Sequence, residues 1–177
     1  METDKLLAWI YGALAVVKVS GRGSFKVGAA LREFGAAALG SGARRIVLDL
    51  EDCVGMDSTF MGVVAGLALK ANLLPKGRVV FVHLNDRTRH LLNTLGLARF
   101  VDMHMAGETP ASLLPALTAP HPEQSEAATG STSLAETMLR AHEDLVRIDP
   151  ENLSRFRDVL VFLQKDVDRN TPVRAEP

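Results

Sequence analysis

Arg45-Ile46-Val47-Leu48-Asp49-Leu50 runs into Glu51-Asp52-Cys53-Val54-Gly55-Met56-Asp57 and then into Ser58-Thr59-Phe60-Met61-Gly62. The first six residues are rich in branched aliphatics and read as a short strand buried on both faces. The next seven keep neither a period of 2 nor one of 3.6. They carry two adjacent acids and a glycine, so they read as a loop that includes Cys53. Asp57, Ser58 and Thr59 are all favoured at the amino end of a helix, where a side-chain oxygen can accept from an unpaired backbone amide. A helix is expected over 58–73, ended near Pro75 and Gly77. Its small residues Gly62, Ala65, Gly66 and Ala68 permit close packing on a sheet. A buried strand delivering the chain through a polar loop into a helix is the repeating unit of α/β architecture.

The same alternation extends on both sides of this stretch. Residues 7–11 and 14–19 read as two strands joined by a turn at Gly12, and Gly21-Arg22-Gly23-Ser24 reads as a loop. Ser24 is placed to cap a helix over 25–39, with Val27, Ala30, Leu31, Phe34 and Ala38 on one face and Gly40-Ser41-Gly42 ending it. Arg78-Val79-Val80-Phe81-Val82-His83-Leu84 is a second buried strand. Asp86 is expected to cap a third helix, with Leu91, Leu92 and Leu95 inward and Gly96 just past its end. Phe100-Val101-Asp102-Met103 reads as a last strand at the sheet edge.

Composition sets the outer limits. The chain has 177 residues, 47% hydrophobic and 23% charged, with a formal net charge of -1. That is ordinary globular usage. A balanced charge argues against a dedicated nucleic-acid binder, which needs clustered Lys and Arg for phosphates. The single cysteine excludes an internal disulfide and any zinc site built from several thiolates, and it suits a reducing cytoplasm. The apolar run at 6–17 is too short to cross a bilayer and flows into strand-like sequence, so it reads as core.

Composition shifts after residue 106. Four prolines between 107 and 132 (Pro110, Pro115, Pro120 and Pro122) leave no room for a helical or strand period, so 107–132 reads as a Pro/Ala/Ser-rich linker. Ser133-Leu134-Ala135-Glu136 then has the form of a capping box, followed by the stripe Leu134, Met138, Ala141 and Leu145. Asp149-Pro150-Glu151 restarts the chain with cap, Pro and acid in their preferred order. Leu153, Phe156, Leu160, Leu163 and Val167 continue at heptad spacing. A helical hairpin is therefore expected over 133–168, with a disordered tail at 169–177. Two helices cannot bury such a seam alone. They must dock on the preceding domain, on a second copy or on another protein.

The stretch 46–62 resembles the signature of the STAS domain (sulfate transporter and anti-sigma factor antagonist), above all in bacterial anti-sigma factor antagonists. In that family a Val-Leu-Asp-Leu strand leads to Met-Asp-Ser-Ser/Thr-Gly-Leu-Gly at the start of a helix. Met56-Asp57-Ser58-Thr59-Phe60-Met61-Gly62 stands at that place here, and the element order over 1–106 is similar to a STAS domain as well. The fold so implied is α/β: a STAS-like mixed sheet of four to five strands with packed helices, plus the C-terminal helical hairpin.

The resemblance further implies a cytoplasmic, non-enzymatic switch without cofactors. Ser58 would be phosphorylated by an anti-sigma factor that is also a serine/threonine kinase, with Thr59 the alternative acceptor, and a serine phosphatase would reset it. The unphosphorylated surface formed by Met56, Asp57, Ser58, Thr59, Phe60, Met61 and Gly62 would bind that partner. Neither direct nucleic-acid binding nor membrane insertion is implied. Two departures stand out. Phe60 replaces the family's glycine, so its ring must either turn inward or stand on the contact surface. The hairpin is absent from minimal antagonists and could instead serve a homodimer. A STAS-like structural subunit of an ABC-type lipid transport complex is the alternative reading.

Simpler readings of the same residues remain open. Asp57-Ser58-Thr59 also suits a plain N-cap cluster. The five histidines lack the paired spacing of a metal site, and His83 reads as a hydrogen-bonded core or edge residue. Cys53 reads as a packing residue, and Arg87 and Arg89 as a solvated helix face. Nothing in the spacing assembles a catalytic triad or a complete phosphate-binding loop.

Overall fold

A computed structural model describes residues 4–120 and 133–170. Its sheet has the order β1-β2-β3-β5-β6, with β4 paired beside the far end of β2. The strands are β1 (Lys5–Tyr11), β2 (Leu14–Gly23), β3 (Arg45–Asp49), β4 (Cys53–Met56), β5 (Arg78–Leu84) and β6 (Val101–Met105). β1 runs antiparallel to β2, and every other pairing is parallel. The helices are α1 (Phe25–Gly40), α2 (Ser58–Asn72), α3 (Asp86–Thr94), the single turn α4 (Leu114–Leu117), α5 (Leu134–Ile148) and α6 (Asn152–Asn170). This is a mixed sheet with packed helices and a C-terminal helical pair, as the sequence implies.

The period-2 pattern of the strands divides the core in two. Ala15, Val17, Ile46, Leu48, Val79 and Phe81 point toward α1 and α2 and join the larger cluster. Trp9, Val16, Val47, Val80 and Val82 point the other way, where Leu113 and Ala116 cover them. That cover corrects the linker reading of 107–132. A short 3₁₀ turn at Ala111–Leu113 and α4 lie across the sheet, and Trp9 Nε1 donates to the Ala116 carbonyl at 3.0 Å. Pro115 fits because it sits in the first turn of α4, where a backbone N–H has no helical acceptor. Residues 121–132 and 171–177, which hold the rest of the linker and nearly all of the expected tail, lie outside the described residues.

Two loops are strands. Gly21-Arg22-Gly23 extends β2 and pairs with Cys53, Gly55 and Met56 of β4, so the sheet has six strands. Both segments are glycine-containing and lack alternation, but backbone pairing needs no side-chain pattern. The cap of α3 is Asn85, one residue earlier than expected. Its side chain accepts from the Thr88 amide at 2.9 Å, while Thr88 Oγ1 accepts from the Asn85 amide at 3.0 Å.

The hairpin docks in cis. Ser133 and Glu136 form the expected capping box, and α5 lies along the outer side of α2. Ala141, Leu145 and Ile148 are buried in the main core, with Phe156 of α6 against it. Asn152 anchors the turn by donating to the carbonyls of Leu95 and Leu145. As a result α2 is apolar nearly all round and buried on both sides, unlike a surface helix. The preceding domain takes Ala141, Leu145 and Phe156 of the expected seam, whereas Leu134 and Leu153 are 50% and 46% exposed.

Candidate functional site

The amino end of α2 is organised by one carboxylate. Asp57 has an extended backbone and is the N-cap of α2. Its Oδ1 accepts from the Phe60 amide and its Oδ2 from the Phe25 amide, both at 2.8 Å. A single side chain thus caps α1 and α2 together, and its charge sits at the positive ends of both helix dipoles. Ser24, at the N-cap position of α1, makes no side-chain cap. It donates instead to Asp4 Oδ2 at 2.7 Å. That hydroxyl, with the Arg22 amide, holds the Asp4 carboxyl below its ordinary range. Replacing Asp57 by Ala removes two caps at about 1 kcal/mol each. Chemical denaturation of Asp57→Ala is therefore expected to show a loss of about 2 kcal/mol with an unchanged m-value.

Ser58 opens the helix and is half-buried. Its Oγ lies 3.1 Å from Nε2 of His142 on α5. The proton can be placed. His142 Nδ1 is 2.8 Å from the Met138 carbonyl oxygen, which can only accept, so Nδ1 carries the hydrogen. In the tautomer with its hydrogen on Nδ1, Nε2 presents a lone pair to which the Ser58 hydroxyl donates. His142 is only 2% exposed and stands edge-on to Phe156, with ring centroids 4.9 Å apart. Sequence reading missed His142, because it is 84 residues from Ser58. The available signal was its place beside Ala141 in the α5 stripe.

The remaining residues of the expected partner surface lie inside the fold. Met56, Thr59 and Met61 are buried, and Phe60 is fully so. The Phe60 ring has turned inward beneath Gly23, where an added Cβ would come within 2.8 Å of it. Gly62 is covered by the Ala141 backbone of α5, close enough that a Cβ would collide with that carbonyl. Of the seven residues, Asp57 and Ser58 keep partial exposure.

A second polar group lies at the carboxyl ends of the parallel strands. Asp49, 5% exposed, accepts from His83 Nδ1 at 2.7 Å and from the Glu51 amide at 3.0 Å. Lys18 pairs with Asp52 at 2.9 Å and Glu51 at 3.7 Å, and the hydrogen bond to Asp52 raises its pKa. Candidate ligand atoms of Asp49, Glu51 and His83 lie within 4.8 Å of one another. The Lys18 ammonium beside them offsets the negative charge that would attract a cation. Between α1, α2 and α5, burial pushes the Arg32 guanidinium down in pKa and the Asp144 carboxyl up.

A parallel sheet flanked by an antiparallel β1, with a motif-bearing helix entered directly from β4, defines a STAS fold. The family profile described as "Mlab, STAS domain" matches residues 10–104. The chain belongs to this STAS domain family. Solved structures agree in fold. An anti-sigma factor antagonist from Mycobacterium paratuberculosis is similar at 21% identity and a TM-score of 0.52, covering 64% of this chain and 93% of its own. The anti-sigma factor antagonist SpoIIAA in its unphosphorylated form gives 18% identity and 0.52, covering 63% and 95%. The Bacillus cell fate determinant SpoIIAA in its phosphorylated form gives 18% and 0.50, covering 63% and 98%. No curated protein sequence matched the chain. Among the described residues, no helix is long and apolar enough to cross a membrane.

Proposed function

We propose that this chain is a phosphorylation-switched anti-sigma factor antagonist with Ser58 as phosphoacceptor. The observation that carries the reading is Ser58 itself: the first residue of α2, half-exposed, next to a carboxylate fixed by two helices. The helix dipole accommodates a phosphate there without unfolding the domain. Thr59 is the weaker acceptor because the residue is only 3% exposed. A phosphate beside Asp57 joins two like charges and repels an acidic or apolar partner surface, so binding is lost by local electrostatics. In this reading the partners are an anti-sigma factor serine/threonine kinase and a serine phosphatase in the cytoplasm. The chain performs no chemistry of its own.

The test is phosphopeptide mapping of protein recovered from its native cells in growth and in stress, for wild type and Ser58→Ala. One condition-dependent phosphate at Ser58, absent from the variant, is expected. A phosphate retained in Ser58→Ala would move the acceptor elsewhere. No phosphate in any condition would remove the switch.

The alternative, a STAS-like structural subunit of an ABC-type lipid transport complex, draws support from one feature. The Ser58 hydroxyl is already engaged internally by His142. A permanent interface needs no free acceptor and tends to be more apolar than a transient one. Cell fractionation separates the two readings, since a transporter subunit sediments with membranes.

A further inference from the structure

We infer that helix α5 is a built-in competitor for the partner-facing side of α2, latched there by the Ser58–His142 hydrogen bond. The inference rests on the reading of that side as a partner surface. What it adds is the occupant. The family match ends at residue 104, and the solved relatives are covered over 93–98% of their own length while 63–64% of this chain is matched. The hairpin lies beyond the residues that the family profile matches, and α5 reaches the proposed phosphoacceptor through His142.

The fit describes what a partner must replace. Gly62 and Gly66 floor the face, and α5 approaches so closely that its own backbone at Ala141 lies on Gly62 while the Asp144 carboxylate lies on Gly66. Such a glycine-lined surface accepts a helix with a small residue at the crossing point, and α5 supplies Ala141. A partner reaching Met61 or Gly62 needs α5 to leave. The covering helix must therefore be outcompeted, and the partner's apparent affinity falls by the fraction of chains that are open.

Reversible docking is supported by polar groups in the seam that are poorly served. Arg32 Nη1 and Thr137 Oγ1 are buried with no hydrogen-bond partner, and Arg32 Nη2 reaches the Thr137 carbonyl only at 3.4 Å. Asp144 is also in the seam, where burial disfavours its charge although Arg147 pairs with it at 3.2 Å. Buried polar groups left unpaired weaken an interface that its apolar residues alone would hold firmly. The His142 ring adds a directional bond at one end, to the residue whose modification the switch would use.

Hydrogen–deuterium exchange on the full chain at pH 8 tests this. The amides of Ala141–Ile148 are expected to exchange at least about tenfold faster than those of β3 and β5, through an opening that leaves the sheet protected. Ser58→Ala and His142→Phe should each accelerate hairpin exchange about three- to tenfold, and the double variant no more than either single. Unchanged protection of β3 and β5 serves as the fold control in every variant.

Hairpin amides that exchange at the same rate as β3 and β5 would make α5 a fixed layer and overturn the competitor. Unchanged exchange in both single variants would overturn the latch. No kinase enters the measurement, so these failures leave Ser58 phosphorylation standing. A Ser58 that is never phosphorylated in cells would instead sink the partner reading, with the docking result intact.

Discussion

Removal of residues 133–177 is expected to lower the unfolding free energy by about 4 kcal/mol and to make the remaining domain self-associate. Leu145 and Ile148 are 0% and 4% exposed, and both belong to the main core. Burial of each such side chain is worth roughly 1.5–3 kcal/mol. Ala141 adds a smaller amount. Part of this gain is offset by the entropy of ordering the hairpin, so the net figure lies below the summed burial. The truncated chain also presents the outer side of α2, an apolar face rimmed by polar residues, to water. Faces of that kind drive association in monomeric proteins. Denaturant unfolding gives the stability change, and light scattering at increasing concentration gives the association. An equally stable, monomeric truncated domain would show that α5 and α6 contribute nothing to the fold they cover.

The strands and helices that carry regular patterns were legible in the sequence because their own side chains encode them. β3 and β5 announce themselves by branched aliphatics. The hairpin shows its Ser133–Glu136 capping box, and α1 its 3–4 spacing with glycine at the end. The missed elements are held by the backbone. Gly21-Arg22-Gly23 and residues 53–56 pair through main-chain groups, and the Phe60 ring occupies the space that a side chain at position 23 would need. The Pro-containing strap over the second face of the sheet was missed for a related reason. Its fixing contact is the Trp9 indole, which lies 107 residues away.

The candidate site divides along the same line. Asp57 as a cap is local information, and the triplet at 57–59 shows it directly. That the same carboxylate also caps α1 is not local, since Phe25 is 32 residues distant. The inward turn of Phe60 and the hydrogen bond from Ser58 to His142 depend on how the hairpin and β2 lie over α2. No periodicity within either segment reports that placement. The family motif locates the candidate site, and the tertiary packing determines what can reach it.

Gly62→Ala, which adds a single methyl to α2, is expected to destabilise the full chain by about 2–3 kcal/mol. The added Cβ would meet the Ala141 carbonyl, a backbone atom that no rotamer change can move aside. Relief requires α5 to lift, which also loosens the packing of Leu145 and Ile148. Overpacking of this kind costs about 1–3 kcal/mol and occasionally more. An opposing effect fixes how the result is read. Alanine is a better helix former than glycine by nearly 1 kcal/mol, so the same substitution on an uncovered α2 would stabilise the protein. The sign of the change therefore reports whether α5 lies on α2 in solution. Gly40→Ala is the control, because the end of α1 has open space within 4 Å of the new Cβ. It should be neutral or slightly stabilising. A Gly62→Ala variant that gains stability as Gly40→Ala does would remove α5 from the face of α2, and the covering of Ser58 and the role of His142 would go with it.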